Sequence, residues 1–541
     1  MDRRSFIASA GGAALAAVAG AAGFRYWQEI DASVHTPGRD EGHFLRELAR
    51  RKTALPPPSS TIDADIVIAG SGIAGLAAAW QLRRDGHRGA LMIDGPQPFG
   101  NAAGGRFGDY DYPTGGHYLP LPSPESVHVR EILFDLGILL ENPFAEKPTY
   151  DERFILHGPE ERLLFKGAWQ DGFLPTHGVD AAELAQHQRF FAEVERLRAL
   201  RGSDGKRIFV FPTVLSSSDP AFDGLDRITL KQWLDQNGYT APTLHWYLNY
   251  CCRDDYGTRY DKVSAWAGLH YYCSRWGQAA NAGNGAWLTW PGGMAPVAKA
   301  LAEKSAIARR AGTVVSLKTV AGGVEALCFT LAGGTPSTYI VRARKAICAM
   351  PLFVAARVVE DIASLGFDAG LHTPSYAPWM VANFLMKDFP AELPDVPLAW
   401  DNVVYSEPGL GYVVSTHQDI RQTPPAKTVF SAYVALSDRT PQQARKWLDT
   451  ATPEELLALA SVDLKTAYGR DFASCVERVD ITVRGHAMAA PLPGFRSNAG
   501  LKALREHDGA ILFAHADLSG FSVFEEAAWW GDRAAQLAAN V

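Results

Sequence analysis

Cysteine is scarce in this chain, and the little there is forms no pattern. The six residues, Cys251, Cys252, Cys273, Cys328, Cys348 and Cys475, include no C-x-x-C and no histidines at ligand spacing. That excludes a zinc finger or ribbon, and no metal site is expected. The adjacent pair Cys251-Cys252 reads as core and not as a redox centre. Positive charge is not in excess either. With 52 basic and 59 acidic residues the net charge is −7, the wrong sign for a nucleic-acid binder. After residue 23 no apolar run reaches the length needed to cross a bilayer, about 20 residues, so no stable membrane span is expected. There is no internal repeat, and the G-x-G-x-x-G motif occurs once. What remains is 541 residues, 47% hydrophobic and 21% charged, enough for two or three ordinary globular domains. The 14 Trp, 18 Tyr and 26 Phe suit a large pocket and a large core equally.

The N-terminus has the layout of an export signal. Arg3 and Arg4 precede a soft apolar stretch from Phe6 to Gly23, with small residues near Ala22. The pair followed by Ser5, Phe6 and Ile7 resembles a twin-arginine signal, an address read by a receptor and not an anchor. The expectation is an exported, periplasmic protein handled by the twin-arginine machinery, which carries proteins already folded around a cofactor.

After the proline-rich "ALPPPSS" at 54–60, the sequence supplies a phosphate cradle. A short apolar run, Ile66 to Ala69, reads as a buried parallel strand. Gly70-Ser71-Gly72-Ile73-Ala74-Gly75 follows and opens an Ala-rich helix to about Arg84, which Gly86 ends. A second strand, Ala90 to Ile93, leads to Asp94. Gly70 permits the tight turn, Gly72 lets a pyrophosphate approach, and Gly75 lets helix and strand pack closely. The helix N-terminus supplies free N–H groups and a positive dipole end. Asp94, 24 residues after Gly70, is placed to accept from a ribose hydroxyl. The order strand, loop, helix, strand, acid predicts a dinucleotide site.

Further blocks select the dinucleotide. "NAAGGRF" (101–107), "YPTGGHYLP" (112–120), "WPGGMAPVAKALAEK" (290–304), "GTVVSL" (312–317), "AICAMPL" (346–352) and the C-terminal "GAILFAHADLSGFSVFEEAAWWGDRAAQLA" resemble, in content and order, the FAD-dependent amine oxidase superfamily. The resemblance implies FAD as cofactor and an α/β fold: a Rossmann-like FAD-binding domain with a discontinuous α+β substrate domain. It places FAD-binding text at 61–130, 286–355 and 481–541, the substrate domain at 131–285 and 356–480, a signal at 1–27 and a linker at 28–60. It assigns Gly70, Gly72, Gly75 and Asp94 to the ADP half, and Gly104, Gly105, Arg106 and Gly116 to the cofactor-binding set. It sets the backbone of Val314 against adenine and Asp517 near the pyrophosphate and ribityl. The helix beginning near Phe524 points its N-terminus at the flavin pyrimidine.

The same resemblance exposes gaps. Many amine oxidases hold a lysine near flavin N5; here that position falls near Val381 if Lys387 aligns with the family's later lysine. The aromatic cage of monoamine oxidases falls on Ala487 and Val523, with Phe521 and Phe524 as nearby substitutes. His486 occupies the place of a flavin-linked cysteine, as a covalent attachment point or a histidine hydrogen-bonded near the ring. Tyr118 matches a tyrosine of the substrate cavity, with His117 before it. "CRDDYGTRYDKVSAWAGLHYYCSRWG" (252–277) sets Asp254, Asp255, His270, Tyr271 and Tyr272 among aromatics, and "WDNVVYSEPGLGYV" (400–413) adds another aromatic stretch. Acids with aromatic walls recognise an ammonium; alternatively Asp254 and Asp255 cap a helix while the rings fill the core. His117, Tyr118, His270 and His486 are the catalytic candidates. The expected reaction is hydride transfer from a carbon beside an amine nitrogen to FAD, on a small-molecule amine, with a polyamine among the candidates. An amino-acid oxidase, with Arg253 or Arg275 as carboxylate clamp, a C–C desaturase and a catalytically silent flavoprotein remain alternatives.

Overall fold

The computed structural model describes residues 30–393, 396–405, 408–423 and 425–539. The Arg3-Arg4 segment and the stretch expected as a signal, 1–27, lie outside the described residues. Two large sheets organise the rest. The first has seven strands, in the order Ala308–Arg310, Ala90–Ile93, Thr61–Ala69, Thr335–Cys348, Gly323–Ala332, Thr313–Val320, with Ile511–Phe513 also on Thr335–Cys348. Its centre is parallel: Thr61–Ala69 pairs in register with Ala90–Ile93 on one side and with the end of Thr335–Cys348 on the other. Strands buried on both faces need unbroken apolar text, and Val67, Ile68 and Ala69 are each 0% exposed.

The helix Ile73–Arg84 covers this sheet, rich in alanine and leucine and closing on Arg83 and Arg84. The C-terminal helix Phe524–Ala539 crosses it so closely that a Cβ on Gly531 would lie 2.1 Å from the Ala74 carbonyl oxygen. Glycine is therefore obligatory at that contact.

The second sheet has eight strands: Asp31–His35, Val476–Ala490, Ser375–Met386, Thr428–Ala435, Tyr412–Val414, Asp401–Val404, Glu161–Phe165, Ala168–Asp171. It differs from expectation at two borders. Residues 31–35, placed in a linker, form its edge strand, parallel to Arg478–Thr482. The strand Val476–Ala490 runs through the border drawn at 481, so 481–490 belong to this sheet and not to the nucleotide sheet. A 15-residue strand gives no local signal of which sheet its second half joins. The segment 452–469 is helical as its pattern predicts, with a capping box of Thr452 and Glu455, but it breaks at Ser461 into Pro453–Ala460 and Val462–Tyr468. All six cysteines are free and buried. No helix among the described residues is long and apolar enough to cross a membrane, and no group of metal-ligating side chains assembles among them.

Candidate functional site

The glycine loop divides its labour as its spacing requires. A Cβ on Gly75 would lie 2.0 Å from the Gly70 carbonyl oxygen, and one on Gly70 2.7 Å from that of Ala349. Gly70 also has φ +111°, a conformation side chains resist. Gly72 differs: a Cβ there would meet nothing within 4 Å, and Gly72 caps the helix with no side chain on its first N–H groups. The loop thus leaves open space in front of unfilled donors, which is the shape a pyrophosphate fills. Asp94 ends the next strand, its Oδ1 accepting from Arg309 Nε at 2.8 Å. Its Oδ2 takes no hydrogen bond among the described residues, which leaves it for a ribose hydroxyl.

Asp517 is 1% exposed. Its Oδ2 accepts from the Leu352 N–H at 2.9 Å and from the Tyr376 hydroxyl at 2.5 Å, while Oδ1 is buried with no hydrogen bond, 3.2 Å from His515 Nδ1. Burial acts to raise this carboxyl, but His515 and these donors outweigh it and hold it below its usual range. An ionised, half-satisfied carboxylate in the interior calls for a donor such as a ribityl hydroxyl. Val314 lies in the edge strand of the nucleotide sheet, beside a register irregularity between Val314 and Ser316. These residues fit FAD.

Three of the expected cofactor residues also have contacts within the protein. Gly105 is glycine because a Cβ would lie 2.3 Å from the Tyr112 ring, and Gly104 because one would lie 2.8 Å from the Tyr112 carbonyl oxygen. Arg106 is paired with Asp111 across their hairpin at 2.5 Å and is 64% exposed, so its guanidinium is engaged at the surface. Gly116 keeps an exposed position beside Met294. Phe524 begins the C-terminal helix and is partly buried.

The catalytic candidates separate. His117 and Tyr118 belong to one aromatic box. The His117 ring lies 4.4 Å from Tyr433 and 5.6 Å from Trp400, and Tyr118 packs edge-on to Trp287 at 4.8 Å. Burial alone holds the His117 imidazole down at about 3, so it is neutral. It has no hydrogen-bond partner among the described residues.

His270 does not join them. It is 0% exposed, bonds the Val210 carbonyl through Nε2 at 3.0 Å, stacks on Trp266 and meets Phe211 edge-on. This is a core histidine, and Phe521, 0% exposed against it, is core too. His486 stacks on Phe353 at 4.5 Å, and burial with the nearby Arg445 and Arg357 lowers it to about 4.

The acids carry the chemistry that sequence spacing could not assemble. Glu161 and Asp401 are register partners on adjacent parallel strands. On the opposite face their successors, Arg162 and Asn402, also pair, with Arg162 Nε donating to Asn402 Oδ1 at 2.6 Å. Arg162 is 0% exposed and further held by Glu392 and Tyr468, so its network clamps the register that brings the two acids together. Asp254 approaches from the helix Pro242–Tyr256. Burial and Asp255 push the Asp254 carboxyl up to about 7. Burial and Glu160 do the same for Glu161, again to about 7. Burial, then Asp254 and Glu161, drive Asp401 well above the carboxylate range. The nearby cation, Arg275, is already paired with Asp255 and lies over the Tyr271 ring at 4.0 Å. Arg253, 2% exposed, donates to Ser437 and to the Pro408 and Gly409 carbonyls. Arg253 is thus spent on these acceptors, whereas Arg275 uses Nη2 on Asp255 and keeps Nε and Nη1 buried without a hydrogen-bond partner.

Comparisons with known proteins agree with this geometry. Residues 68–136 match the family model of an NAD(P)-binding Rossmann-like domain. A putrescine oxidase redesigned in its cofactor binding superposes with a TM-score of 0.62 at 17% identity, over 89% of this chain and 100% of that one. The fold is that of the two-domain amine oxidases. Cyclohexylamine oxidase from Brevibacterium oxydans gives 0.60 at 18% identity, over 88% of this chain and 99% of that one. A fatty acid isomerase from P. acnes gives 0.59 at 15%, over 87% and 97%, so the fold alone does not choose the reaction. No curated protein matches.

Proposed function

We propose that this chain is an FAD-dependent oxidoreductase that oxidises a small amine carrying more than one positive charge, a diamine or polyamine. One observation carries the reading: Asp254, Asp401 and Glu161 crowd together beside an aromatic box, and of the two arginines that act on Asp254, Arg275 is paired with Asp255 and Arg253 with Ser437 and two carbonyls. Buried carboxylates without partners are costly, and an ammonium group relieves that cost. Putrescine oxidase, a diamine oxidase by its name, is among the similar folds.

Bound FAD supplies the hydride acceptor. The protein's own residues then have three tasks. Asp254, Asp401 and Glu161 hold the distal ammonium, and Tyr118, Trp400 and Tyr433 exclude water around the reacting carbon. His117, neutral and unpartnered, accepts a hydrogen bond from the reacting nitrogen, whose lone pair must be free. Arg253 is engaged by Ser437 and two carbonyls, and the unpaired Nε and Nη1 of Arg275 make an amino acid the second reading. Export by the twin-arginine route is part of the proposal and rests on Arg3, Arg4 and the run behind them.

The test is anaerobic mixing of the purified flavoprotein with 1,4-diaminobutane, butylamine and leucine while the flavin band is followed. Bleaching by the diamine ahead of the other two supports the reading. A yellow protein that no amine bleaches overturns it in favour of C–C chemistry or a silent flavoprotein.

A further inference from the structure

A separate cavity opens at the surface beside this cluster. It has a volume of about 410 Å³ and is lined by Glu152, Ile155, His157, Glu160, Asn281 and Asn284, among others. Its walls are the outer sides of segments whose inner sides make the site. Glu160 lines the cavity and Glu161, the next residue, belongs to the inner acids; the Asp401 N–H donates to the Glu160 carbonyl at 2.9 Å. On the other wall the Leu156 N–H donates to the Trp287 carbonyl at 2.9 Å, and the Trp287 ring contacts Tyr118. Two arginines near these wall residues in sequence are engaged elsewhere. Arg153 is claimed by Asp151 at 2.5 Å, and Arg162 is buried with Glu392 and Asn402. The far wall, 281–286, carries two asparagines and two glycines, with Gly285 at φ +79°.

We propose that this cavity is the outer station for the substrate, a docking and access site for a small organic dication or polycation. Glu152 and Glu160 capture it before it passes to Glu161, Asp401 and Asp254. The inference rests on the amine reading of the inner site. It extends that reading with a chemical gradient: two exposed carboxylates outside and three part-buried ones inside. Solvated acids attract a cation over a Debye length without stripping its water, and desolvated acids then hold it firmly. The amides of Asn281 and Asn284 set the rim; Asn281 is fixed by two bonds to the Tyr150 backbone, at 3.1 and 2.7 Å.

The experiment uses the holoprotein and two probes, 1,4-diaminobutane and butylamine, in wild type, in the double variant Glu152→Gln/Glu160→Gln and in Glu141→Gln, an exposed control of the same charge change. Equilibrium dialysis measures binding, and stopped-flow flavin bleaching measures capture at low and high salt. The double variant is expected to slow diamine capture about tenfold at low salt, with kcat unchanged and the difference gone at high salt. The monoamine changes less, and Glu141→Gln behaves as wild type. Unaltered capture and salt dependence in the double variant overturn the outer station while leaving the inner site standing. Diamine that binds wild type without bleaching it sinks the oxidase reading but not the station, which dialysis of the double variant then decides. A wild type that binds no diamine sinks both.

Discussion

The two sheets solve opposite problems. The nucleotide sheet meets its ligand with backbone: Gly72 contributes open space and free N–H groups, and its neighbours Gly70 and Gly75 are glycines so that backbone can touch backbone. The other sheet gathers charge instead, with Glu161 and Asp401 from neighbouring strands and Asp254 from a helix packed beside them, the group proposed to hold a substrate ammonium. A site made of backbone is specified within a few consecutive residues. A site made of side chains is specified by a register between segments 240 residues apart. The first tolerates almost no added atom; the second tolerates substitution but depends on a clamp elsewhere.

That contrast can be broken most severely at the loop. Gly75→Val should give no folded flavoprotein, because its Cβ would sit 2.0 Å from the Gly70 oxygen. Gly72→Val should fold with unchanged circular dichroism yet lose its yellow colour on gel filtration, because only the ligand space is filled. Equal damage from both would refute the division of labour.

Next in size is the clamp. Arg162→Leu removes a fully buried guanidinium that satisfies Asn402, Glu392 and Tyr468, and should cost about 3 kcal/mol in denaturant unfolding. It should also lower diamine affinity without touching the ligand. Lost stability with unchanged affinity would show that the register survives without the clamp.

Asp254→Asn should raise KM for a diamine about 100-fold, ~2.7 kcal/mol, with a much smaller change in kcat. Wild-type KM should fall as pH rises from 6 to 8, because the carboxyls near 7 lose their protons and become attractive to ammonium. The variant should lose part of that slope.

The smallest effect concerns stability without substrate. Folded Asp254 keeps its proton to about 7, whereas the unfolded chain releases it in the ordinary carboxylate range. Between those values the folded state binds more protons, so this residue makes stability fall as pH rises. Asp254→Asn should therefore raise the melting temperature at pH 8 and leave it nearly unchanged at pH 4. A uniform shift at both would place its role in packing instead.

Much of the nucleotide half was legible because its information is local. The strand ending at Ala69, the helix to Arg84 and the strand Ala90–Ile93 all stand where the pattern put them. The Gly104-Gly105-Arg106 run was harder to read, because a resemblance assigns residues to a ligand without saying what else they touch. Arg106 touches Asp111, and Gly105 makes room for Tyr112. Of the acids, Asp254 stood out in sequence by its aromatic neighbours. Glu161 did not, because nothing in "ERLLF" announces that it will lie opposite Asp401. His270 looked catalytic for the same reason that made it core: it sits among aromatic rings, and only depth tells the two apart.

The edge strand Asp31–His35 has one more implication, which concerns time. Its partner, Arg478–Thr482, is translated more than 400 residues later. During synthesis the early strand therefore waits unpaired until nearly the whole polypeptide has left the ribosome. Closing that edge is a report that translation is almost finished, and a chain truncated before residue 478 leaves it exposed as a handle for chaperones or aggregation.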